Sequence, residues 1–373
     1  MKIRMMLALA VAFGCAVTLQ AQSLGNWEIA PFTRPAAGNP VITPRTDTTF
    51  VDPIRKEPVH WEILHTFNPA AIVRNGKIYV LYRAEDNSGT MEIGGHTSRV
   101  GLAESTDGIH FTRRSEPAFY PANDDQKERE WTGGVEDPRI VESEDGTYVL
   151  TYTQWNGRDY YSAAVATSRD LLHWKKHGPL FWGAAAGKYR TLKYKSAGIL
   201  TRLDKAKGRL IAAKINGKYW MYWGDGPIRL ATSDDLIHWT PLEDAAGKPL
   251  VMLDTRTHHF DSNLAEMGPP PVLTKDGIVI IYNGMNQTDS SGDPALGPGA
   301  YAAGEALFDA KDPAQLLARL EHPVLKPEMP YEKTGQYVAG DTFTEGLVYY
   351  HNQWFLYYGC ADSFVSVAIA PGK

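Results

Sequence analysis

Short runs of alternating β-branched, aromatic and polar residues recur along the chain at long, regular intervals. Five of them end on tyrosine: GKIYVLY at 76–82, GTYVLTY at 146–152, GKYWMY at 217–222, GIVIIY at 277–282 and NQWFLYY at 352–358. The marker residues Tyr82, Tyr152, Tyr222, Tyr282 and Tyr357 lie 70, 70, 60 and 75 residues apart. Each run follows a turn residue and is too short for a helix, which predicts a strand at every copy.

Two further motifs keep the same rhythm. AESTDGIHF from Ala103, ATSRDLLHW from Ala166 and ATSDDLIHW from Ala231 read as a strand, an Asp-centred turn and an aromatic residue that closes a hairpin. Ahead of the five marker strands stand FNPAAIV (67–73), GVEDPRIV (134–141), KSAGILT (195–201), EMGPPPVLT (266–274) and TEGLVYY (344–350). Each unit is therefore a polar start, a strand, a turn, a strand, a turn and a strand. Five such units predict an all-β chain folded as a five-bladed β-propeller over residues 67–373, with residues 22–66 as an N-terminal extension packed on it. Helical signals are few. Asp312-Pro313 followed by Leu316, Leu317 and Leu320 predicts one short capped helix, and the polar stretch 287–299 predicts a long loop.

Composition narrows the function classes. The chain of 373 residues is 43% apolar and 22% charged, with a net charge of −5 and no basic face, which excludes a disordered chain and disfavours nucleic acid as a partner. Basic Met1-Lys2-Ile3-Arg4, an apolar run from Met5 to Leu19 and Gln20-Ala21-Gln22-Ser23 read as an export signal over residues 1–21, cleaved near Ala21. Its apolar run falls short of the roughly 20 residues of a membrane span. Lipid modification of Cys15 is the weaker export reading, since Phe13 fits such a signal poorly. The mature protein would be periplasmic or extracellular and would retain one cysteine, Cys360, read as a small buried residue rather than a nucleophile.

The predicted geometry turns spacing into a site. The first strand of each blade lines a propeller's axis, so the starts of successive units converge on one funnel. Those starts carry Asn68, Glu136-Asp137, Lys195-Ser196, Glu266 and Glu345, while the ends of the second strands add Arg83, Asp86 and Asp362. Several carboxylates with a few cations and amides around one cavity suit glycoside cleavage, in which one acid protonates the leaving oxygen and one base activates water.

These residues resemble glycoside hydrolase family 130, the β-mannoside phosphorylases and β-1,2-mannosidases. The resemblance rests on Gly134-Val135-Glu136-Asp137-Pro138-Arg139, backed by Phe67-Asn68-Pro69-Ala70, Leu81-Tyr82-Arg83-Ala84-Glu85-Asp86, Gly268-Pro269-Pro270-Pro271 and Tyr357-Tyr358-Gly359-Cys360-Ala361-Asp362, in order from residue 67 to 362. It implies that Asp137 is the general acid, acting through the 3-hydroxyl of the bound mannose. It further implies that Asn68, Arg83, Asp86, Arg139, Lys195 and Asp362 hold the non-reducing mannosyl unit of a mannose-containing oligosaccharide. For Arg139, a structural ion pair with Glu136 is an equal alternative.

A phosphorylase needs a cationic pocket for its attacking anion, whereas a hydrolase needs a carboxylate that takes a proton from water. Glu266 stands where an anion would repel phosphate and is the expected base, with Asp225 and Glu345 as further candidates. The expectation is thus an exported inverting hydrolase of β-mannosides, with two alternatives: a β-mannoside phosphorylase and a glycan-binding propeller without turnover. Arg158 would serve the phosphorylase, though a turn position explains it better. The repeat places His110, His173 and His238 in outer hairpins, as structural residues. His258-His259 is a possible substrate contact, and no histidine pair has metal-site spacing, so no metal and no other cofactor is expected.

Overall fold

The computed structural model describes residues 26–372, so the predicted signal 1–21 and Cys15 lie outside the described residues. Every marker run is a strand: Lys77–Glu85, Tyr148–Trp155, Lys218–Trp223, Ile278–Met285 and Gln353–Cys360. Each sits in the middle of an antiparallel unit. The first unit pairs His65–Arg74, Lys77–Glu85, Ser98–Ser105 and Thr112–Arg113; the second pairs Gly134–Glu142, Tyr148–Trp155, Tyr161–Ser168 and Trp174–Pro179. The third runs through Ala197–Ile199, Lys218–Trp223, Ile228–Ser233 and Trp239–Pro241. In the fourth, the first strand is split by Gly268-Pro269-Pro270-Pro271 into Leu264–Met267 and Val272–Leu273, both paired with Ile278–Met285, because proline has no N–H to give the ladder.

Residues 312–320 differ from the sequence expectation. Leu316–Arg319 is a strand on the outer edge of the fourth unit, paired with Tyr301–Phe308, so the predicted helix is not formed. A free edge beside the segment offers ladder hydrogen bonds that a short isolated helix, with its costly first turn, cannot match. The fifth unit pairs three strands, Thr342–Tyr350, Gln353–Cys360 and Phe364–Pro371. Residues from the N-terminal segment line its outer edge: Thr33 and Ile369 exchange two backbone hydrogen bonds of 2.8 Å, and the Asn39 side chain bonds both backbone groups of Val367.

Alternation along each middle strand explains the core. In Ile278–Met285, Ile278, Ile280 and Tyr282 face a layer shared with Tyr222, Ile228 and Leu230 of the third unit, whereas Val279 and Ile281 face one shared with Leu347, Leu356 and Tyr358 of the fifth. Similar layers join the first unit to the second, the second to the third, and the fifth back to the first, where Tyr82 and Val80 meet Tyr357 and Val365. The marker tyrosines are almost fully buried and their hydroxyls donate to fixed acceptors, Tyr82 to Glu62, Tyr152 to Glu130 and Tyr282 to Asp261. Gly101 faces Tyr82 across the ladder, and a Cβ there would lie 2.3 Å from the ring.

The Asp-centred turns are built alike. Asp235 Oδ1 accepts the backbone N–H groups of Ile237 and His238 at 2.9 and 2.8 Å, and its other oxygen holds His238 Nδ1 at 2.7 Å. Asp107 with His110 and Asp170 with His173 repeat this, which leaves all three histidines exposed on outer hairpins. Asp235→Ala is expected to lower stability by about 1 kcal/mol through the two lost backbone bonds, measured as a urea midpoint shift at unchanged slope. No helix among the described residues is long and apolar enough to cross a membrane.

Candidate active site

The first strands place their key residues by bulging. The ladder of the first unit slips between Phe67 and Pro69, that of the second between Glu136 and Arg139, and that of the fifth between Thr344 and Gly346, so Asn68, Asp137 and Glu345 each stand out of register. Asn68, Asp137 and Ser196 all take left-handed backbone, with φ of 44°, 47° and 59°. Such conformations cost a non-glycine residue energy and re-aim its side chain, and three of them at one position of three repeats mark a built site. Gly359 makes room for it, since a Cβ there would lie 2.4 Å from Asn68 Oδ1.

Asp137 is at the centre. Its Oδ1 accepts Asn68 Nδ2 at 2.8 Å and Arg83 Nη1 at 3.1 Å, and its Oδ2 lies 3.7 Å from Lys195 Nζ. The same Lys195 Nζ is 3.8 Å from Glu266 Oε1, which also accepts the Ser196 hydroxyl. Lys195 therefore bridges Asp137 and Glu266, and their nearest oxygens are no farther apart than those two distances combined. That bound admits both the roughly 6.5–9.5 Å of an inverting pair and the about 5–5.5 Å of a retaining one. Asp225 is half-buried beside them: it forms a backbone bridge with Glu266, and its Oδ1 accepts the Lys195 N–H at 3.4 Å.

The remaining candidates divide. Arg83 gathers acids, holding Glu85 at 2.7 Å and Glu136 at 2.8 Å besides Asp137. Arg139 is buried and fully engaged: Nε and Nη2 donate to the carbonyls of Gly268 and Met267, Nη1 to that of Asp137, and Nη2 lies 3.1 Å from Glu345. It clamps the second unit to the fourth, and its ion-pair partner is Glu345, whereas the Glu136 of the sequence alternative pairs with Arg83. Asp362 backs onto Asp341 and lies within the charge field of Arg83, Glu85 and Asp137. Asp86 binds Arg99, Ser88 N–H and the Ser88 hydroxyl, and no hydrogen bond or ion pair joins it to Asp137 among the described residues. Arg158 is exposed in its turn and His259 pairs with Glu321 on the surface, and no hydrogen bond or ion pair joins either to the cluster among the described residues.

The charges are unequal. Burial raises Glu345 well above its ordinary range against the pull of Arg139, and burial with nearby Asp225 raises Glu266 against Lys195. Burial likewise pushes Glu136 to about 7 and Asp362 to about 6. Asp137 goes the other way: burial opposes its charge, but Arg83, Lys195, the Asn68 amide and Arg139 together hold it below the usual carboxylate range. In the ligand-free site Arg83 and Lys195 thus hold Asp137 as the most firmly ionised of these carboxylates, while burial works against the charge of Glu345, Glu136 and Glu266, with Lys195 opposing it at Glu266. Among the described residues Asn68 Oδ1 and Glu345 Oε2 are buried without a hydrogen-bond partner, and Glu345 Oε1 meets the Arg139 guanidinium.

Sequence reasoning passed over Glu85, Asp341 and Tyr301, the last of which shares the field of Glu266 and Lys195. Glu85 was within reach, as it lies two residues from Arg83 and so on the same strand face; Asp341 and Tyr301 carry no repeat signal. A cavity of about 640 Å³ lined by Trp27, Arg202, Lys275 and Trp354 shares no residue with the cluster.

Comparison with known proteins places this geometry. The family model of glycoside hydrolase family 130, described as β-1,4-mannooligosaccharide phosphorylase, matches residues 39–372. A 1,2-β-oligomannan phosphorylase of Thermoanaerobacter sp. (strain X514) is 34% identical over 316 residues, 84% of this chain and 92% of the relative. A glycosyl hydrolase of Bacteroides ovatus is 52% identical, with a TM-score of 0.88 and coverage of 92% of this chain and 95% of that one. A structure described under the finding that the mannoside phosphorylase family contains glycoside hydrolases targeting β-1,2 mannosidic linkages in Candida mannan is 50% identical, with a TM-score of 0.90 and coverage of 93% and 97%.

Proposed function

The chain belongs to glycoside hydrolase family 130 and is an enzyme acting on β-mannosides, and on that premise we propose that it is an exported inverting hydrolase of β-1,2-linked mannosides. The observation that carries this reading is Lys195 held between Asp137 and Glu266, with Asp225 and Glu345 close by. An attacking phosphate would approach carboxylates, whereas an attacking water finds a base. The two structures about half identical to this chain, both described as hydrolases, support the same side; the phosphorylase alternative draws on the 34% identical relative. Export draws on the basic and apolar pattern of residues 1–21.

The five units read as the blades of a five-bladed propeller. Supporting this is the succession of five apolar layers, the last of which joins the fifth unit back to the first. In such a ring the bulged first strands face one axis, where Asn68, Asp137, Ser196 and Glu345 meet around a single sugar.

In the reaction, the water oxygen bonds to the anomeric carbon while its proton passes to Glu266. The bond from that carbon to the bridging oxygen breaks, and the bridging oxygen takes the proton of the mannose 3-hydroxyl, which Asp137 replaces. A sugar that takes over the Asn68 and Lys195 contacts removes two influences that keep Asp137 ionised. Neighbouring Glu136 keeps its proton up to about pH 7 and can supply it.

The pH dependence follows with its sign. Glu136 is raised, so its proton is present below about 7 and lost above it, and kcat/KM is expected to fall on the alkaline side of neutrality. A profile that stays flat well into the alkaline range would contradict the shared proton. Proton NMR of the first product tests the stereochemistry: inversion releases α-mannose from β-1,2-mannobiose, and initial β-mannose would refute it.

A further inference from the structure

Beside the carbohydrate site the fold assembles a second group of side chains that the reaction does not use. His65 and Glu85 are direct cross-strand partners, and Glu85 faces Ser98 on its other side, two residues beyond His96. Cross-strand partners project to the same face of a sheet, which brings His65 and Glu85 together, and the turn into Ser98–Ser105 returns His96 to them. One nitrogen of each ring and one Glu85 oxygen lie within 4.8 Å of one another. Spacing in sequence hides this group, which is why the sequence carried no metal expectation.

Both rings are already fixed through Nδ1. His96 Nδ1 lies 3.0 Å from the Ser88 carbonyl, and since a carbonyl only accepts, that nitrogen carries the proton and Nε2 presents a lone pair. His65 Nδ1 lies 2.9 Å from the Ser363 hydroxyl, which also accepts the Gln336 N–H at 3.0 Å and has capacity to accept from the imidazole. Among the described residues no hydrogen bond engages Nε2 of either ring. An imidazole whose Nδ1–H is tied to protein oxygen is the usual arrangement of a metal-ligating histidine.

We propose that His65, Glu85 and His96 form a binding site for one divalent transition-metal ion of the Zn²⁺ type, with a further coordination position left for water. Two imidazoles and one carboxylate suit Zn²⁺ rather than Ca²⁺ or Mg²⁺, which prefer all-oxygen sets. Ligands at about 2.0–2.2 Å from the ion sit about 3.4 Å apart, so the side chains close by about 1 Å on binding. Glu85 keeps one oxygen on Arg83 at 2.7 Å, so the ion would brace Arg83 and, through it, Asp137 from behind. It is a positioning element and takes no part in bond cleavage.

The test uses the full chain, treated with chelator and dialysed, titrated with Zn²⁺ alone by calorimetry and with Co²⁺ alone by visible absorption. Expected are one Zn²⁺ per chain, the intense d–d bands of a tetrahedral Co²⁺ centre, and at least a ~10-fold loss of affinity in a folded His96→Gln chain. Wild-type protein without stoichiometric Zn²⁺ uptake or tetrahedral Co²⁺ bands overturns the proposal, as does a His96→Gln chain, folded by circular dichroism, that binds as tightly as wild type. Should that variant fail to fold, the wild-type Zn²⁺ stoichiometry and Co²⁺ spectrum decide. Because these readouts do not depend on turnover, they stand or fall apart from the hydrolase reading.

Discussion

Replacing Asp137 by Asn is expected to abolish mannoside cleavage while the protein still folds and binds its substrate. Asparagine keeps the size of the side chain and is among the residues that best tolerate left-handed backbone, so the φ of 47° at the bulge is retained. Arg83 keeps Glu85 and Glu136, and Lys195 keeps Glu266, so neither cation is left alone. What is lost is the proton carrier, and loss of a general acid costs roughly 10²–10⁴-fold in rate. Reducing-sugar release gives kcat, and calorimetry with β-1,2-mannobiose gives affinity. A variant that turns over at the wild-type rate would remove Asp137 from the acid role.

Glu266→Gln is expected to lower kcat by a similar ~10²–10⁴-fold. Glutamine still accepts the Ser196 hydroxyl but cannot take a proton from water. An anion that needs no deprotonation separates this role from simple positioning of Lys195. Azide added to Glu266→Gln should restore cleavage and yield α-mannosyl azide, whereas a residue that merely orients Lys195 would show no rescue. Failure of azide to act, with the variant folded and binding mannobiose, would move the base to Asp225 or Glu345.

The five marker strands were legible because each repeats an alternating apolar pattern that ends on tyrosine, and burial of those tyrosines between units is what the repeat encodes. The grouping of candidate residues was legible at the strand starts for the same reason: Asn68, Asp137, Ser196 and Glu345 occupy equivalent positions, and the fold brings Asn68, Arg83, Asp137, Lys195 and Glu266 into one network. Partners drawn from distant, non-repeating segments were not legible. Arg139 meets Glu345 and the Met267 and Gly268 carbonyls, and Asp86 turns to Arg99, which also holds Asp52. The helix expected at 312–320 failed because local spacing cannot report the free edge of Tyr301–Phe308. The His65, Glu85 and His96 group escaped notice because strand register alone brings it together.

The account turns on carboxylates standing where an attacking phosphate would have to lie. The initial rate of β-1,2-mannobiose cleavage, followed as inorganic phosphate is raised from zero, tests this most directly. Free mannose released at full rate without phosphate is the expected result; cleavage that requires phosphate and yields mannose 1-phosphate would contradict it.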